Sequence, residues 1–554
     1  MRKTTLLALT LLATSTAAVA QVPPGAGQLQ QIPPAPSQPR SLPDIRIDRS
    51  QATTAPAIGG TRVLVRSLHV TGETRFSEAE LIAASGFQPG AEMDLDGLRT
   101  LAMRISHFYN AHGYFVAQAY IPAQDIAEGS VTIAVIEGRY GQITLQNESL
   151  VHDGLARGIL SGLKPGDLVT AAPLQRRLLL LSDLPGVGVK STLSPGQAVG
   201  SSDLLVDLRP GRRVTGSLEA DNAGNRYTGE YRGGASVNFN EPLGIGDVLS
   251  LRALTSGRGL TYLRGAYQAQ WDNLTLGAAY SHLDYRLGRE FAPLHGHGSA
   301  DIASLYGSYP LIRSYDANLH ATLQFDARRY RDRVDITAAA SDRGAEVVIA
   351  GLAGDSHDHL WGGGWNTYSV DASFGDLDIR TPVVRTLDAA TARTQGSYGK
   401  VAFDFARLQS TGGPVSIYGN LRGQLASKNL DSSEKMELGG AYGVRAYPEG
   451  EAYGDQGYIA TLEARIRLAR LSQMTGGSLQ AFAFADHGQV TINHSAWAPG
   501  LNDRSLSAAG LGLSWADAHG LFVKVSYAFK LGDEDALSAP GRSGRVWVQI
   551  SKFF

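Results

Sequence analysis

The sequence contains no cysteine among its 554 residues. Disulfide bonds, cysteine-ligated zinc sites and thiol nucleophiles are therefore excluded. A strong charge of one sign is also missing, since 50 Lys and Arg residues face 52 Asp and Glu residues. This balance excludes a chain that holds nucleic acid through bulk positive charge, and we expect no nucleic-acid partner.

Long apolar runs are missing as well. After residue 20, no stretch approaches the roughly 18 to 20 apolar residues that a membrane helix needs. The mature chain is then either soluble or enters a membrane as a closed barrel. The sequence has no Walker-type phosphate loop, no His-Glu-x-x-His and no Gly-x-Ser-x-Gly. We therefore predict no enzyme activity, no cofactor and no bound metal.

Two histidine pairs are spaced so that a strand could present both rings to a metal. They are His295 with His297 and His357 with His359, and both lie among Gly and Asp residues. A metal site is one interpretation. We favour solvated polar loops, because such surroundings are typical of exposed connections.

The first twenty residues are typical of a secretory signal peptide. Arg2 and Lys3 form a basic start, residues 6–12 an apolar stretch, and Ala18-Val19-Ala20 a small-residue cleavage site. The apolar stretch is too short to span a bilayer. We expect residues 1–20 to be cleaved.

Residues 21–60 are rich in Pro, Gln, Ala and Ser and lack a sustained apolar period. Proline pairs such as Pro23-Pro24 and Pro33-Pro34 favour an extended, semi-rigid linker. A brief helix over 27–31 is the one regular element that the pattern allows.

Residues 61–138 are predicted to form a small α+β unit. A strand, two helices and two further strands are expected over 63–70, 77–85, 95–109, 114–121 and 131–136. Ser77 and Glu80 complete a capping box at the start of the first helix. Gly113 ends the second helix.

The same order of elements returns in residues 139–210. A strand, two helices and two strands are predicted over 143–145, 150–160, 173–182, 187–193 and 204–208. Two consecutive α+β units of similar size indicate an internal repeat. A single mixed domain is the alternative.

From residue 211 to the end, strict alternation of apolar and polar residues replaces the helical periods. Residues 415–425, 458–468 and 521–529 each alternate over about ten residues, the length of a tilted strand that crosses a bilayer. Strands of a soluble sandwich, the alternative, average nearer five or six residues. The length allows about sixteen strands of roughly 21 residues each with their connections. We predict a transmembrane antiparallel β-barrel with a polar interior.

Short motifs follow one another in a fixed order along the chain. The earlier ones are Gly113-Tyr114, Ile121-Pro122-Ala123-Gln124, Val135-Ile136-Glu137-Gly138, Leu184-Pro185-Gly186-Val187, Leu193-Ser194-Pro195-Gly196 and Asn240-Glu241-Pro242-Leu243-Gly244-Ile245-Gly246-Asp247. The later ones are Val444-Arg445-Ala446-Tyr447 and Phe484-Ala485-Asp486-His487-Gly488. As an ordered set they resemble the motifs of the two-partner secretion transporters, the TpsB family.

The resemblance implies a protein of the Gram-negative outer membrane, with the barrel over 211–554 and two periplasmic POTRA domains over 61–138 and 139–210. It implies export of a large partner exoprotein, such as an adhesin or haemolysin with a β-helical fold, which the POTRA domains bind unfolded. An exposed sheet edge could take up the partner as an added strand. We also expect contact with outer-membrane lipid, insertion by the barrel-assembly machinery, and a monomer.

The resemblance also implies a loop that folds back into the barrel. Its pore-loop and latch residues are Val444, Arg445, Ala446, Tyr447, Phe484, Asp486 and Gly488. Strand parity allows Asp486 to point into the lumen, where a carboxylate can stay hydrated or paired, and Arg445 lies in a predicted loop of roughly 18 residues. On the residues alone, an exposed Arg and a solvated Asp that never meet remain the alternative. The family has Gly where this chain has Ala446, so a loop tip with positive φ would be strained.

Other functions fit parts of the pattern. A barrel-assembly factor of the same superfamily is the first alternative, although the Leu-Pro-Gly-Val and Asn-x-Pro-Leu-Gly stretches favour secretion. A diffusion porin would explain the barrel but leave residues 62–210 without a role. Some family members carry an N-terminal helix that plugs the barrel, and residues 21–60 show no convincing helix of that length, which argues against a plug here.

Overall fold

The computed structural model describes residues 23–36, 43–47, 62–126 and 128–554. The predicted signal peptide lies outside the described residues. No helix in the described ranges is both long enough and apolar enough to cross a membrane. The described chain forms an N-terminal segment, two small α+β units and a closed barrel.

The N-terminal segment holds helix α1 (Ala26–Leu29) and strand β1 (Asp44–Ile47). The helix predicted over 27–31 is therefore a single turn that begins one residue earlier. The prolines that follow it lack the N–H group that a longer helix would need.

The first α+β unit consists of β2 (Val63–Val65), β3 (Ser67–Thr71), α2 (Glu78–Ser85), β4 (Ala91–Met93), α3 (Leu95–Ala111), β5 (Gln118–Tyr120) and β6 (Ser130–Ile136). Strand β6 lies between β3 and β5, and both helices contribute to the core. The capping box of Ser77 and Glu80 is present. The predicted strand over 114–121 begins later than expected, because the backbone of Tyr114 and Ala117 forms turns with preceding carbonyls.

The second unit consists of β7 (Arg139–Asn147), α4 (Asp153–Leu160), α5 (Ala171–Ser182), β8 (Val187–Pro195) and β9 (Ser201–Pro210). Its strands are longer than predicted, and α4 begins at Asp153 rather than at residue 150. The reason for the later start is a turn, in which the side chain of Asn147 donates to the carbonyl of Val151 at 2.7 Å. The sheet order is β1-β8-β9-β7, with β1 parallel to β8.

A buried carboxylate fixes the end of the first unit. Glu137 accepts hydrogen bonds from the backbone N–H groups of Thr74 and Arg75 and from the hydroxyl of Tyr109. Burial opposes ionisation of Glu137, but these hydrogen bonds outweigh it and hold its pKa below the usual value. Arg139, the first residue of the second unit, donates from Nη2 to the hydroxyl of Thr74 in the first unit at 3.2 Å, so the two units meet at a defined joint.

The second unit packs against one end of the barrel. Arg313 donates from Nε and Nη2 to the carboxylate of Asp183, both at 2.7 Å. The backbone N–H of His152 donates to the Gly244 carbonyl in the turn 241–247. With the α+β units in the periplasm, as the resemblance implies, this end of the barrel is the periplasmic end, and the connections 287–295, 335–338 and 427–455 lie at the opposite, extracellular end.

The remaining strands are β10 (Val214–Asp221), β11 (Arg232–Asn240), β12 (Val248–Thr255), β13 (Leu260–Trp271), β14 (Leu274–Arg286), β15 (Gly296–Arg313), β16 (Ala317–Val334), β17 (Ala339–Asp358), β18 (Gly364–Ile379), β19 (Gly396–Ser410), β20 (Val415–Ala426), β21 (Met436–Glu437), β22 (Tyr453–Gly454), β23 (Gln456–Arg467), β24 (Gly477–Thr491), β25 (Asp503–Asp517), β26 (Leu521–Lys530) and β27 (Gly544–Phe553). All except β21 and β22 form one antiparallel barrel, which closes where β10 pairs with β27. Two helices, α6 (Pro382–Ala390) and α7 (Ala469–Thr475), lie in connections, as do 3₁₀ turns over Arg289–Leu294, Asp335–Thr337 and Leu360–Gly362.

The two faces of the barrel wall differ as the alternation predicts. On β23, Leu462 points outward with 59% of its surface exposed, whereas the next residue, Glu463, points into the lumen and is 4% exposed. An apolar outer face and a polar inner face are typical of a barrel in a bilayer. The prediction of a 16-stranded transmembrane barrel that follows two small α+β units in the chain is confirmed.

Candidate functional site

The connection between β20 and β23, residues 427–455, folds back into the barrel, and we call it the inner loop. It runs from the end of β20 at Ala426 to the start of β23 at Gln456, so it is longer than the roughly 18 residues predicted. The side chain of Asn429 then donates to the Ala392 carbonyl, outside the barrel ladder, and β21 and β22 form a small hairpin within the loop. At the loop tip Val444 and Tyr447 are completely buried.

Arg445 and Asp486 meet on the inner wall. The guanidinium of Arg445 donates to both carboxylate oxygens of Asp486, from Nε at 2.8 Å and from Nη2 at 2.7 Å. The backbone N–H of Arg445 donates to the same carboxylate at 3.2 Å. Only 6% of Arg445 and 3% of Asp486 is exposed. A two-pronged contact of this kind suits the fixed fork of the guanidinium.

Glu463 is a second carboxylate at the same guanidinium, and it is not among the site residues predicted from the sequence. Nη1 of Arg445 donates to Glu463 at 2.7 Å, and the other Glu463 oxygen accepts from Arg465 on the same strand at 2.7 Å. Thr461, also on β23, donates to Asp486 at 2.9 Å. The alternation of the sequence places Thr461, Glu463 and Arg465 on the lumen face of the strand. It does not show which residues they contact.

Aromatic side chains close the site around Arg445. Its Cζ atom lies 3.4 Å from the centroid of the Phe484 ring, close enough for a cation–π contact. Trp547 on β27 donates from its indole nitrogen to the Arg445 carbonyl at 2.7 Å. The backbone of the loop tip is thus bonded to two different parts of the barrel wall.

Ala446 fits the loop tip without strain. Its backbone lies outside the left-handed region, so the site does not require glycine at this position. The tip is a turn in which the N–H of Tyr447 donates to the carbonyl of Val444 at 3.1 Å. The hydroxyl of Tyr447 donates to the Glu534 carbonyl in the connection 531–543 at 3.1 Å.

Gly488 leaves room for the inner loop. A Cβ atom at this position would lie 2.6 Å from a terminal methyl group of Leu438, which the inner loop buries against β24. All seven residues of the sequence prediction therefore lie in one cluster on the inner wall. Their functional role stays a prediction.

We expect Gly488→Val to unseat the inner loop. Overpacking in a well-packed region costs about 1–3 kcal/mol, and the group met most closely is Leu438 of the loop itself, followed by the Tyr458 carbonyl of β23. Trypsin added to intact cells should cut at Lys435 faster than in the wild type. Gly419→Val is the matched control, because a Cβ atom at Gly419 meets nothing within 4 Å. Equal cleavage of the two variants would contradict the seating role of Gly488.

Further ion pairs hold the inner loop along its length. They are Arg343 with Asp431, Arg328 and Lys400 with Glu434, and Arg504 with Glu451. Each joins a barrel strand to the loop. Glu451 also accepts from the backbone of Leu537 and Ser538 in the neighbouring connection. The Arg445 site is therefore one of several attachments between the inner loop and the barrel wall.

Residues 23–36 lie inside the barrel, so the prediction against a plug is wrong. The N–H of Ala26 donates to the Asp332 carboxylate at 2.8 Å, and Gln31 donates to the Lys435 carbonyl of the inner loop at 2.9 Å. Arg252 on β12 donates to the Pro33 carbonyl at 2.6 Å. The plug was missed because the segment has one helical turn only, and polar contacts with the wall hold the rest.

A cavity of about 960 Å³ remains between this segment, the inner loop and the wall. Its lining includes Arg232, Arg252 and Arg422 together with Asp221 and Glu219. This mixed charge suits a polar conduit. The cavity is closed in part by residues 23–36, so their departure would widen it.

The histidine pairs do not form a metal site with other ligands. Among the described residues no three His, Asp or Glu side chains are placed to share a metal ion. His297 and His357 lie at the ends of barrel strands, and His295 and His359 lie in the adjoining connections.

Family models match most of the chain. Residues 200–515 match the model described as "Haemolysin secretion/activation protein ShlB/FhaC/HecB". Residues 63–138 match the model of a POTRA domain of the ShlB type. The first match spans the barrel from β10 into β25, and the second covers the first α+β unit.

Curated proteins with similar sequences are transporters. The heme/hemopexin transporter protein HuxB of Haemophilus influenzae is 30% identical over 472 residues, which cover 84% of this chain and 82% of that protein. The outer membrane transporter CdiB of Dickeya dadantii is 22% identical over 449 residues, 79% of this chain and 78% of that protein.

Solved structures share the fold. CdiB from Escherichia coli superposes with a TM-score of 0.69 at 20% identity, over 96% of this chain and 95% of that one. BamA from Haemophilus ducreyi superposes with a TM-score of 0.54 at 14% identity, over 89% and 100% of the two chains.

Proposed function

Given that the chain belongs to the ShlB/FhaC/HecB family of haemolysin secretion and activation proteins, we propose that its partner crosses the barrel lumen past the loop that Arg445 holds. The chain is an outer-membrane transporter of two-partner secretion and works with a secreted partner exoprotein. The observation that supports this route is the polar lumen of the barrel. It is filled by residues 23–36, which could detach, and by the ion-paired inner loop. Both fillers are attached mainly through side chains and not through the barrel ladder.

Capture of the partner is assigned to residues 61–210, with 139–210 as a second POTRA domain. The partner arrives unfolded and adds as a strand to a sheet edge, where main-chain hydrogen bonds give affinity with little demand on sequence. In the second unit one edge is β7, and the other, β8, is covered by the chain's own β1. A partner strand that used β8 would have to displace β1.

Displacement of β1 would also affect residues 23–36 in the lumen, because a short stretch of chain joins the two segments. Residues 23–36 lie in the lumen and β1 follows them at Asp44–Ile47, so a partner that replaced β1 would loosen the tether of the plugging segment. Capture and opening are then coupled through one short stretch of chain. This coupling needs no nucleotide. Folding of the exported partner outside the cell favours its outward movement through the barrel.

We expect the purified chain to bind an N-terminal fragment of its partner more tightly when β1 is disabled. Replacing Asp44–Ile47 by Gly-Ser-Gly-Ser keeps the linker length but removes a strand that competes at high effective concentration. The dissociation constant, measured by fluorescence anisotropy in micelles, should fall by roughly tenfold or more. An unchanged or weaker affinity would show that β8 is not the capture edge.

The similarity to HuxB favours a cargo related to haem acquisition. HuxB is described as a heme/hemopexin transporter and is 30% identical over most of both chains. We propose a secreted haem- or hemopexin-binding exoprotein as the partner. The transporter itself acts without enzyme activity or cofactor, as a monomer in outer-membrane lipid, and is inserted by the barrel-assembly machinery.

Co-expression tests this function. The partner exoprotein should reach the cell surface or medium only when the chain is present. Without the chain it should stay in the periplasm and be degraded. Equal export from cells that lack the chain would overturn the proposal.

A further inference from the structure

The outer surface of the barrel changes from apolar to charged near the extracellular ends of β14, β15 and β16. On β16, Leu323 and Phe325 point outward and are exposed, as lipid-facing residues are. The following outward positions, after Ala327, are Arg329, Arg331 and Arg333. The apolar belt of this sector therefore ends between Phe325 and Arg329.

The neighbouring strands place the edge of the belt at the same level. Across the strand register Phe325 lies beside Leu305, and Arg329 lies beside Asp301, which lies beside His282. One step toward the belt on β14 is Tyr280, an exposed ring whose hydroxyl donates to Asp301 at 2.6 Å. An aromatic ring at this height is typical of a membrane–water interface.

Arginines dominate the surface just beyond this edge. The outward-facing charged residues of the sector are Arg258, Arg286, Arg329, Arg331, Arg333, Asp284, Asp301 and Asp335, the last of which lies 3.8 Å from the ring of His297. Arg258 and Arg286 make no side-chain hydrogen bond or ion pair with the described part of the chain, and Arg331 reaches Asp301 only at 3.5 Å. Arg333 is paired with Asp342 at 2.7 Å. The sector holds more cationic groups than its own carboxylates neutralise.

These side chains line a groove of about 440 Å³ on the outer face of the wall. Its lining includes Arg258, Arg286, Arg331 and Arg333, together with Thr261 and Ser299. Asp284 is the one acid in this lining, all of which lies in the described part of the chain. Four guanidinium groups and the hydroxyls of Thr261 and Ser299 therefore converge on one concave site.

We propose that this groove, which we call the arginine groove, binds the phosphorylated headgroup of the outer-leaflet glycolipid. The groove faces outward, opens at the extracellular end and continues directly from the apolar belt, so acyl chains on the belt would place a headgroup beside it. Guanidinium groups match phosphate oxygens in bidentate geometry, and clustered basic residues at a membrane interface are typical of lipid-headgroup recognition.

In the adjacent sector of the outer surface, formed by β17 and β18, acidic side chains follow the apolar belt. At the extracellular ends of β17 and β18 the outward residues beyond Val348 and Phe374 include Glu346, Asp376 and Asp378. These carboxylates would repel a phosphate. A bisphosphorylated headgroup is therefore drawn to one side of the barrel, which fixes the lipid at the wall formed by β14–β16.

The test measures lipid binding to the purified full-length chain in detergent micelles by native mass spectrometry. The probes are bisphosphorylated lipid A and the same lipid after removal of both phosphates. The wild-type chain should bind the phosphorylated form at least about tenfold more tightly, since removing one charge-assisted hydrogen bond weakens binding by about that factor. The double variant Arg331→Ser with Arg333→Ser should no longer show this preference.

The controls separate charge, folding and partner effects. Arg380→Ser removes an exposed Arg just past β18, paired with Asp378, and should keep the preference for lipid A. The double variant Arg331→Lys with Arg333→Lys retains both charges and should recover part of the affinity that the double Ser variant loses, which a misfolded barrel could not do. The proposal is overturned if the double variant binds lipid A as the wild type does. It is also overturned if lipid binding stays unchanged while export is abolished, because the arginine groove would then serve the partner protein.

Discussion

Export of the partner is expected to fall to less than about a tenth of the wild-type level in Arg445→Ala, and the pore conductance to rise. Without the guanidinium, Asp486 and Glu463 keep two buried charges with their main partner gone. Breaking a buried ion pair in this way costs about 3–5 kcal/mol, which shifts the balance from seated to released loop by at least about a hundredfold. The released loop no longer shapes the lumen for the passing chain.

Two matched variants make this result specific. Arg407 forms an Arg–Asp pair with Asp358 at 2.6 Å, but on the outer face of the barrel and partly exposed. Arg407→Ala should leave export and conductance unchanged, because exposed pairs contribute little. Arg445→Lys keeps the charge but cannot donate to both carboxylates in the fork geometry, so it should be intermediate. Wild-type export and conductance in Arg445→Ala would show that the inner loop has no latch.

Deletion of residues 62–210 is expected to abolish export while the barrel still inserts. The strands of the barrel pair only with one another, and the two α+β units have separate hydrophobic cores. The deletion therefore removes the capture surfaces without opening the barrel wall. Heat-modifiable migration in gel electrophoresis checks insertion, and the amount of partner in the medium checks export.

Deletion of residues 62–138 alone separates the two units. It removes the first unit but retains the second, with its contact between Asp183 and Arg313. Export should fall here as well, because the partner loses one of its two binding domains. Export that continued without residues 62–210 would contradict capture by these units.

The barrel and the inward position of Asp486 could be predicted because both depend on local alternation. A strand buries every second side chain on one face, so the pattern of β23 and β24 separates lipid-facing from lumen-facing residues. Capping chemistry is equally local, which explains why the start of α2 at Ser77 was also predicted correctly.

The partners of Asp486 could not be predicted from its own strand. Glu463 meets Arg445 across a separation of 18 residues, and Trp547 reaches the same loop from 102 residues away. Parity shows which face a residue occupies but not what lies opposite in the lumen. The lumen position of residues 23–36 was missed for the same reason, since Asp332 lies 306 residues from Ala26.

The most direct test of the central claim is a disulfide cross-link between the lumen wall and a partner stalled during export. The chain has no cysteine, so single cysteines can be placed at will. Ser369 lines the lumen cavity, and the next residue on β18, Val370, faces outward. A partner with one cysteine, arrested by a folded C-terminal domain, should cross-link to Ser369→Cys and not to Val370→Cys. Cross-linking to neither position while the partner still emerges outside would contradict passage through the lumen.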